Sequence, residues 1–262
     1  MFDYTWFVKA PKNKKDLPYI ARKYYNGIIS LAGLYNAFVR SLFSPRSTAS
    51  DSSDLNEIRQ KARVGTDISD HLETIFTESM AVNPGLIVEL GIGPGESTFV
   101  FERVAKLCNS RLVSVDIRTE MGKASSWSEW LFICEDDISF AGKFKNWAQE
   151  KGLPSQIDIL FIDTSHKYEH TLQEIEHWFP FLSPRAKVFF HDTNAQPVYR
   201  RKDGTVGLTY DIKRAVIRAI EDFLGTSFDE RRDFTKCLAG WTIAHHHLCN
   251  GLTILDKNNF QS

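Results

Sequence analysis

The chain lacks an apolar run long enough to cross a bilayer. The stretch IISLAGLYNAFV (28–39) extends for only about twelve residues, where about twenty are needed. It reads as a core helix, with a helix lying on a membrane surface as the alternative. Residues 1–20 contain Asp3, Lys9, Lys12, Lys14, Lys15 and Asp16 and no long apolar stretch, so a secretory leader is not expected. Cysteine is sparse. Cys108, Cys134, Cys237 and Cys249 are scattered without CxxC spacing, which suits reduced thiols in a cytoplasmic protein. Excess charge is also missing: the net is −1, so the molecule as a whole is not built for nucleic acid. No internal repeat is visible.

What is present is an ordinary globular composition on 262 residues, 42% hydrophobic and 25% charged, enough for a sizeable core. The charge is uneven. Residues 1–50 hold eight Lys/Arg against Asp3 and Asp16, a net of +6, which leaves the rest of the chain at −7. A basic, aromatic segment on an acidic body suits an anionic partner, a surface or a neighbouring subunit; a solvated helical arm is the plainer reading. The Ser-rich SPRSTASDSSD (44–54) reads as a linker. The expected division is a helical extension and linker at 1–60 and a larger domain at 61–262.

Within that domain, strand and helix patterns alternate. LIVEL (86–90), RLVSVDI (111–117), LFIC (131–134), IDILFID (157–163), KVFFHD (187–192) and LCNGLTIL (248–255) read as strands. Helical patterns cover 97–107, 139–151, 168–182 and 208–224, and another, with Ile68, Leu72, Ile75 and Phe76 on one face, follows Asp67. Continuous apolar strands between helices predict an α/β fold: a Rossmann-like, doubly wound, mostly parallel sheet, with ligands beyond the carboxyl ends of its strands.

VELGIGPGES (88–97) places Gly91, Gly93 and Gly95 after the first of these strands, with Glu89 closing it. Asp116 ends the second strand, 21 residues past Gly95. A dinucleotide pyrophosphate needs G-x-G-x-x-G, whereas the spacing here is G-x-G-x-G. Glu89 would repel a pyrophosphate and suit a ligand carrying an amino group, and Asp116 could accept two ribose hydroxyls.

These segments, with VSVDI (113–117), FICEDDISFA (132–141) and DILFIDTSHKYE (158–169), resemble the class I S-adenosylmethionine-dependent methyltransferases over roughly residues 65–255. The resemblance implies that Gly91, Gly93 and Gly95 wrap the methionine part of the cofactor, with Glu89 and Ser97 as further cofactor-binding residues. It also implies that Asp116 holds the ribose and that Asp136 or Asp137 faces the adenine amino group. A helix cap is the competing role for Asp136 and Asp137.

Asp163, His191 and Asp192 sit at the tips of two neighbouring predicted strands, a plausible divalent-metal set for Mg or Mn. His166, three residues past Asp163, is the candidate general base. This stretch is similar to metal-dependent O-methyltransferases of sugars and natural products, and to the cephalosporin-biosynthesis methyltransferases. Those give Asp-x-x-His followed by a pair of acids; here His191 replaces the first acid of the pair, and imidazole suits transition metals better than magnesium.

The expected activity is methyl transfer from S-adenosylmethionine to a hydroxyl of a sugar or small secondary metabolite, with a small-molecule or glycan acceptor and no nucleic-acid partner. The rivals are a catalytically silent accessory protein of a biosynthetic complex and an NAD(P)-dependent oxidoreductase. His245, His246 and His247 alternate across a strand and are not expected to share an ion. Asp70 and His71 are weak substrate-contact candidates. The loop QPVYRRKDG (196–204) reads equally as an anion contact or a solvated loop. The extension could also mediate a homo-oligomer.

Overall fold

The computed structural model describes residues 27, 28, 30–36, 53–123 and 125–257. Most of the basic N-terminal segment and of the 44–54 linker lies outside these residues.

An eight-stranded sheet forms the middle layer. Its strands are β1 (Leu86–Leu90), β2 (Arg111–Asp116), β3 (Trp130–Cys134), β4 (Ile157–Ile162), β5 (Leu182–His191) and, after the small pair β6 (Val198–Arg200) and β7 (Val206–Leu208), β8 (Phe234–Leu238), β9 (Trp241–His246) and β10 (Leu252–Lys257). The order is β3-β2-β1-β4-β5-β10-β9-β8. The first five strands are parallel, while β10 is antiparallel to β5 and to β9, and β8 is antiparallel to β9. The fold is α/β, Rossmann-like and mostly parallel, as the alternating pattern predicts.

Period-two alternation divides the apolar strands between two cores. Leu86, Val88 and Leu90 face one side with Leu160, Ile162, Val188 and Phe190. There they meet α4 (Asp137–Glu150), α5 (Tyr168–Trp178) and α6 (Ala215–Leu224) through Phe140, Phe144, Ile175, Trp178 and Ile220. Ile87, Ile159, Phe161 and Phe189 face the other side, covered by α1 (Ser53–Ala62), α2 (Leu72–Val82) and α3 (Glu96–Cys108). Both faces being covered explains why β1 and β4 are buried along their whole length.

The structure departs from the sequence reading in several places. Of the helical pattern at 208–224, Leu208 ends β7, 209–214 form a loop and only Ala215–Leu224 is helix (α6), because Asp211 Oδ1 accepts the Lys213 amide at 2.7 Å and Lys213 and Arg214 take left-handed backbone. The strand read at 248–255 starts at Leu252, since Cys249 and Gly251 have positive φ and turn the chain. The helix read at 168–182 ends at Trp178, and β5 begins at Leu182. Strands β8 and β9, joined by a tight turn with Ala239 and Gly240 at φ 51° and 80°, were not foreseen.

The described part of the 28–39 stretch is helical at 28 and 30–36. It does not enter the core: Leu31 and Leu34 are 68% and 69% exposed. Asn36 fixes it to β7, donating to the Val206 carbonyl and accepting the Val206 amide, each at 2.7 Å. Among the described residues no helix is long and apolar enough to cross a membrane.

Candidate active site

The carboxyl ends of β1, β2 and β4 are tied to one another. Gly91 N donates to the Val115 carbonyl at 2.8 Å, and Asp163 N donates to the Leu90 carbonyl at 2.9 Å. Gly91 has φ +81°, and a Cβ there would fall 2.0 Å from the Asp163 carbonyl oxygen. Only glycine lets the loop cross the tip of β4 so closely. Gly95, also left-handed, caps α3.

A cleft of about 620 Å³ opens at these ends. That is within the usual range for a small-molecule site. Gly91, Gly93, Ser97, Asp116, Asp136 and Asp137 line it on one side, and Asp163, His166, His191 and Asp192 on the other. Glu89 does not line it. Alternation puts Glu89 on the α3 side of β1, where its carboxylate accepts the hydroxyls of Ser97 (2.6 Å), Thr98 (2.9 Å) and Ser114 (2.5 Å). Burial raises its pKa to about 7, against the pull of those three hydrogen bonds.

Asp116 is engaged by its own loop. It accepts the amides of Ile92 and Arg118 and both arms of the Arg118 guanidinium at 3.1 Å. Burial would raise this carboxyl, but the Arg118 hydrogen bonds outweigh it and hold it below the ordinary range. Asp136 caps α4 by accepting the Ser139 amide at 2.9 Å. Asp137 is buried and pairs with His170 at 3.0 Å.

Asp163, His191 and Asp192 bring one ligand atom each within 4.8 Å of one another. His191 Nδ1 lies 3.4 Å from Asp163 Oδ1 and 3.4 Å from Asp192 Oδ1. Both His191 Nδ1 and Asp192 Oδ1 are buried without a hydrogen-bond partner. On the far side of the ring, Nε2 donates to the Asp67 carbonyl at 3.3 Å, which turns Nδ1 inward. Orphaned donors converging in an N,O,O set fit a divalent cation. Burial lowers the pKa of His191, but the charges of Asp163 and Asp192 outweigh it and leave the ring at about 10.

His166 stands beside this set, with φ +53° in a region that non-glycine residues seldom occupy. Its Nε2 is 2.9 Å from Asp163 Oδ1 and 3.0 Å from Asp192 Oδ2. Burial lowers its pKa, and the Asp163 hydrogen bond with the Asp192 and Asp163 charges raises it further, to about 9. Nδ1 meets the hydroxyl of Tyr210 at 2.8 Å.

Tyr210 was not foreseen. It follows β7 in a loop, and nothing in its local sequence points across 44 residues to His166. Asp67, Arg118 and His170 are further cleft residues that the motif reading passed over. Asp70 and His71 serve structure instead: Asp70 accepts the Lys202 amide at 2.6 Å, and buried His71 contacts the Leu248 carbonyl at 2.9 Å. Arg201 in the basic loop is buried and donates to the carbonyls of Thr66 and Val206, so this part of the loop is not a free anion contact. The three consecutive histidines diverge, His245 to Thr253 and Glu230, His247 to Asp233.

Residues 88–193 match a family described as a methyltransferase domain. Several solved structures share the fold. Cofactor-bound Rv0187 from MTB is 13% identical with a TM-score of 0.53, over 86% of this chain and 97% of that one. The O-methyltransferase TomG from Streptomyces achromogenes, involved in tomaymycin synthesis and solved with SAM, is 13% identical with a TM-score of 0.50, over 85% and 95%. MycE, from the mycinamycin biosynthetic pathway and in complex with Mg, SAH and mycinamycin VI, is 15% identical with a TM-score of 0.50, over 82% of this chain and 57% of MycE. An uncharacterized protein, y4gI, from Sinorhizobium fredii (strain NBRC 101917 / NGR234) is 43% identical over 42 residues, which are 16% of this chain and only 5% of that protein.

Sheet order and glycine loop form the Rossmann-like fold that these structures share, and residues 88–193 within it match a methyltransferase domain. The match runs from the strand before the glycine loop to Thr193, so it takes in both halves of the cleft.

Proposed function

We propose that this enzyme transfers the methyl group of S-adenosylmethionine to a hydroxyl oxygen of a sugar or small secondary metabolite. The observation that carries this reading is the meeting of Asp163, His166, His191 and Asp192 at the rim of the cleft that the glycine loop enters. MycE supports it, since that protein of the same fold was solved in complex with Mg, SAH and mycinamycin VI. TomG, an O-methyltransferase, supports oxygen as the acceptor atom.

In this reading Gly91, Gly93, Gly95 and Ser97 pack along the methionine part of the cofactor, with Glu89 bracing Ser97 from below. Asp116 takes the ribose hydroxyls once Arg118 moves aside. Asp136, at the mouth of the α4 cap, faces the adenine amino group. Asp163, His191 and Asp192 would hold Mg or Mn, which would supply Lewis-acid polarisation of a substrate hydroxyl and lower its pKa. His166 accepts the hydroxyl proton at Nδ1, the nitrogen turned away from the two carboxylates. The free ring is held protonated by those carboxylates, so proton acceptance requires that their charge be taken up elsewhere.

The proposed division is an extension at 1–60 and a catalytic domain at 61–262, with the extension free to join two copies or to dock a larger acceptor. The thiols are all free, which supports a cytoplasmic setting.

The deciding experiment titrates S-adenosylmethionine calorimetrically into metal-stripped protein, then repeats it with magnesium and with manganese. Saturable one-to-one binding that NAD does not show is expected. No binding under any condition would sink the reading. His166→Ala should then slow methyl transfer by about 10² to 10⁴ while leaving cofactor affinity unchanged; normal turnover would remove His166 as the base.

A further inference from the structure

A second group of metal-ligating side chains lies outside the Asp163 set. Asp137 opens α4, and His170 and Glu174 lie four residues apart on one face of α5. Their ligand atoms fall within 4.8 Å of one another. His170 Nε2 is 3.0 Å from Asp137 Oδ1 and 3.7 Å from Glu174 Oε1. The Thr164 hydroxyl donates to Glu174 Oε1 at 2.5 Å and fixes that carboxylate.

Two features mark this group as more than a polar contact. Asp137 and Glu174 are 6% and 1% exposed, and Asp137 Oδ2 is buried with no hydrogen-bond partner. Two carboxyls buried against one imidazole also leave negative charge without a counter-ion, which is costly away from water. A dication at the same point would satisfy the orphaned oxygen and the charge together.

We propose that Asp137, His170 and Glu174 bind a divalent transition metal, of the zinc or manganese class, that ties α4 to α5. One imidazole and two carboxylates are a donor set that suits such ions better than calcium or magnesium. The i,i+4 pairing on one helix face lets two side chains reach one ion. Asp137 and His170 both line the cleft, which leaves a coordination position open on that side. The site shares no ligand with Asp163, His191 and Asp192, and it does not depend on the methyl-transfer reading.

Zinc alone is the probe. The full chain is stripped of metal, loaded with Zn²⁺, passed over a desalting column and analysed for metal content. Parent, His191→Ala, His170→Ala and the double variant should retain about two, one, one and no equivalents. If the Asp163 set takes no zinc, the same series reads about one, one, none and none; the present proposal then stands while the first metal site falls. Zinc should also raise the melting midpoint of His191→Ala and leave that of the double variant unmoved, because only a ligand of the folded state stabilises it. Glu174→Gln, nearly isosteric, guards against a folding defect in the histidine variants. Zinc retention by His170→Ala and Glu174→Gln equal to that of the parent overturns the proposal.

Discussion

Single residues carry the tightest constraints in this cleft. At Gly91 any side chain meets the Asp163 carbonyl oxygen, and the backbone is already left-handed. Gly91→Ala should therefore cost at least about 3 kcal/mol in stability and abolish cofactor binding, as denaturant melts and calorimetry would show. Glu89 offers a different prediction. Its pKa is 4.5 unperturbed and about 7 in the fold, where it is fully buried. Between these values the folded protein keeps a proton that the unfolded chain has lost, so stability falls as pH rises through that window and levels off above it. The swing should be on the order of 3 kcal/mol, and Glu89→Gln should remove it. Parallel pH–stability curves for the two proteins would show that the carboxyl is not held protonated. Glu89 was legible in the sequence as an acid next to the glycine loop. Its direction was not, because that depends on which face of β1 packs under α3, a fact of alternation counted from the core rather than of the motif.

At the scale of elements, legibility tracked burial. β1, β2, β4 and β5 were readable because continuous apolar runs admit few other readings. β8 was hidden because FTKCL is largely exposed at the sheet edge. β9 keeps a buried–half-buried alternation, but its histidines disguise it as polar chain. The metal-type set was readable from strand tips alone, whereas Tyr210 meets His166 only across 44 residues of chain, from the loop after β7. α4 provides the test at this scale. Asp136 caps the helix and lines the cleft, so the two roles must be separated. Asp136→Ala should lose about 1 kcal/mol of stability with the cap and weaken S-adenosylmethionine binding by about tenfold, the loss of one good hydrogen bond. Asp136→Ser keeps a capping oxygen but is one carbon shorter, so it should restore the stability without the affinity. Unchanged affinity in Asp136→Ala would leave the residue as a cap alone.

The whole molecule divides by where its apolar surface goes. Both cores draw only on residues from Leu55 onward among the described residues, and α1 already contributes Ile58. The helical segment before it touches the body through Asn36 and leaves Leu31 and Leu34 in solvent. That arrangement explains why the 28–39 stretch misled: apolar periodicity announces a face to be covered without saying what covers it. A chain beginning at Ser53 should therefore fold, keep its melting midpoint to within a few degrees, since about 1 kcal/mol shifts it by only about 2–4 °C at this size, and bind S-adenosylmethionine as the full chain does. The basic extension, net +6 over its first 50 residues, would then be free to serve assembly rather than catalysis. Light scattering on the two proteins distinguishes the outcomes. A drop in mass per particle, from a multiple of the chain to one copy, assigns the extension to a homo-oligomer, and equal association states would assign its exposed apolar face to a different partner.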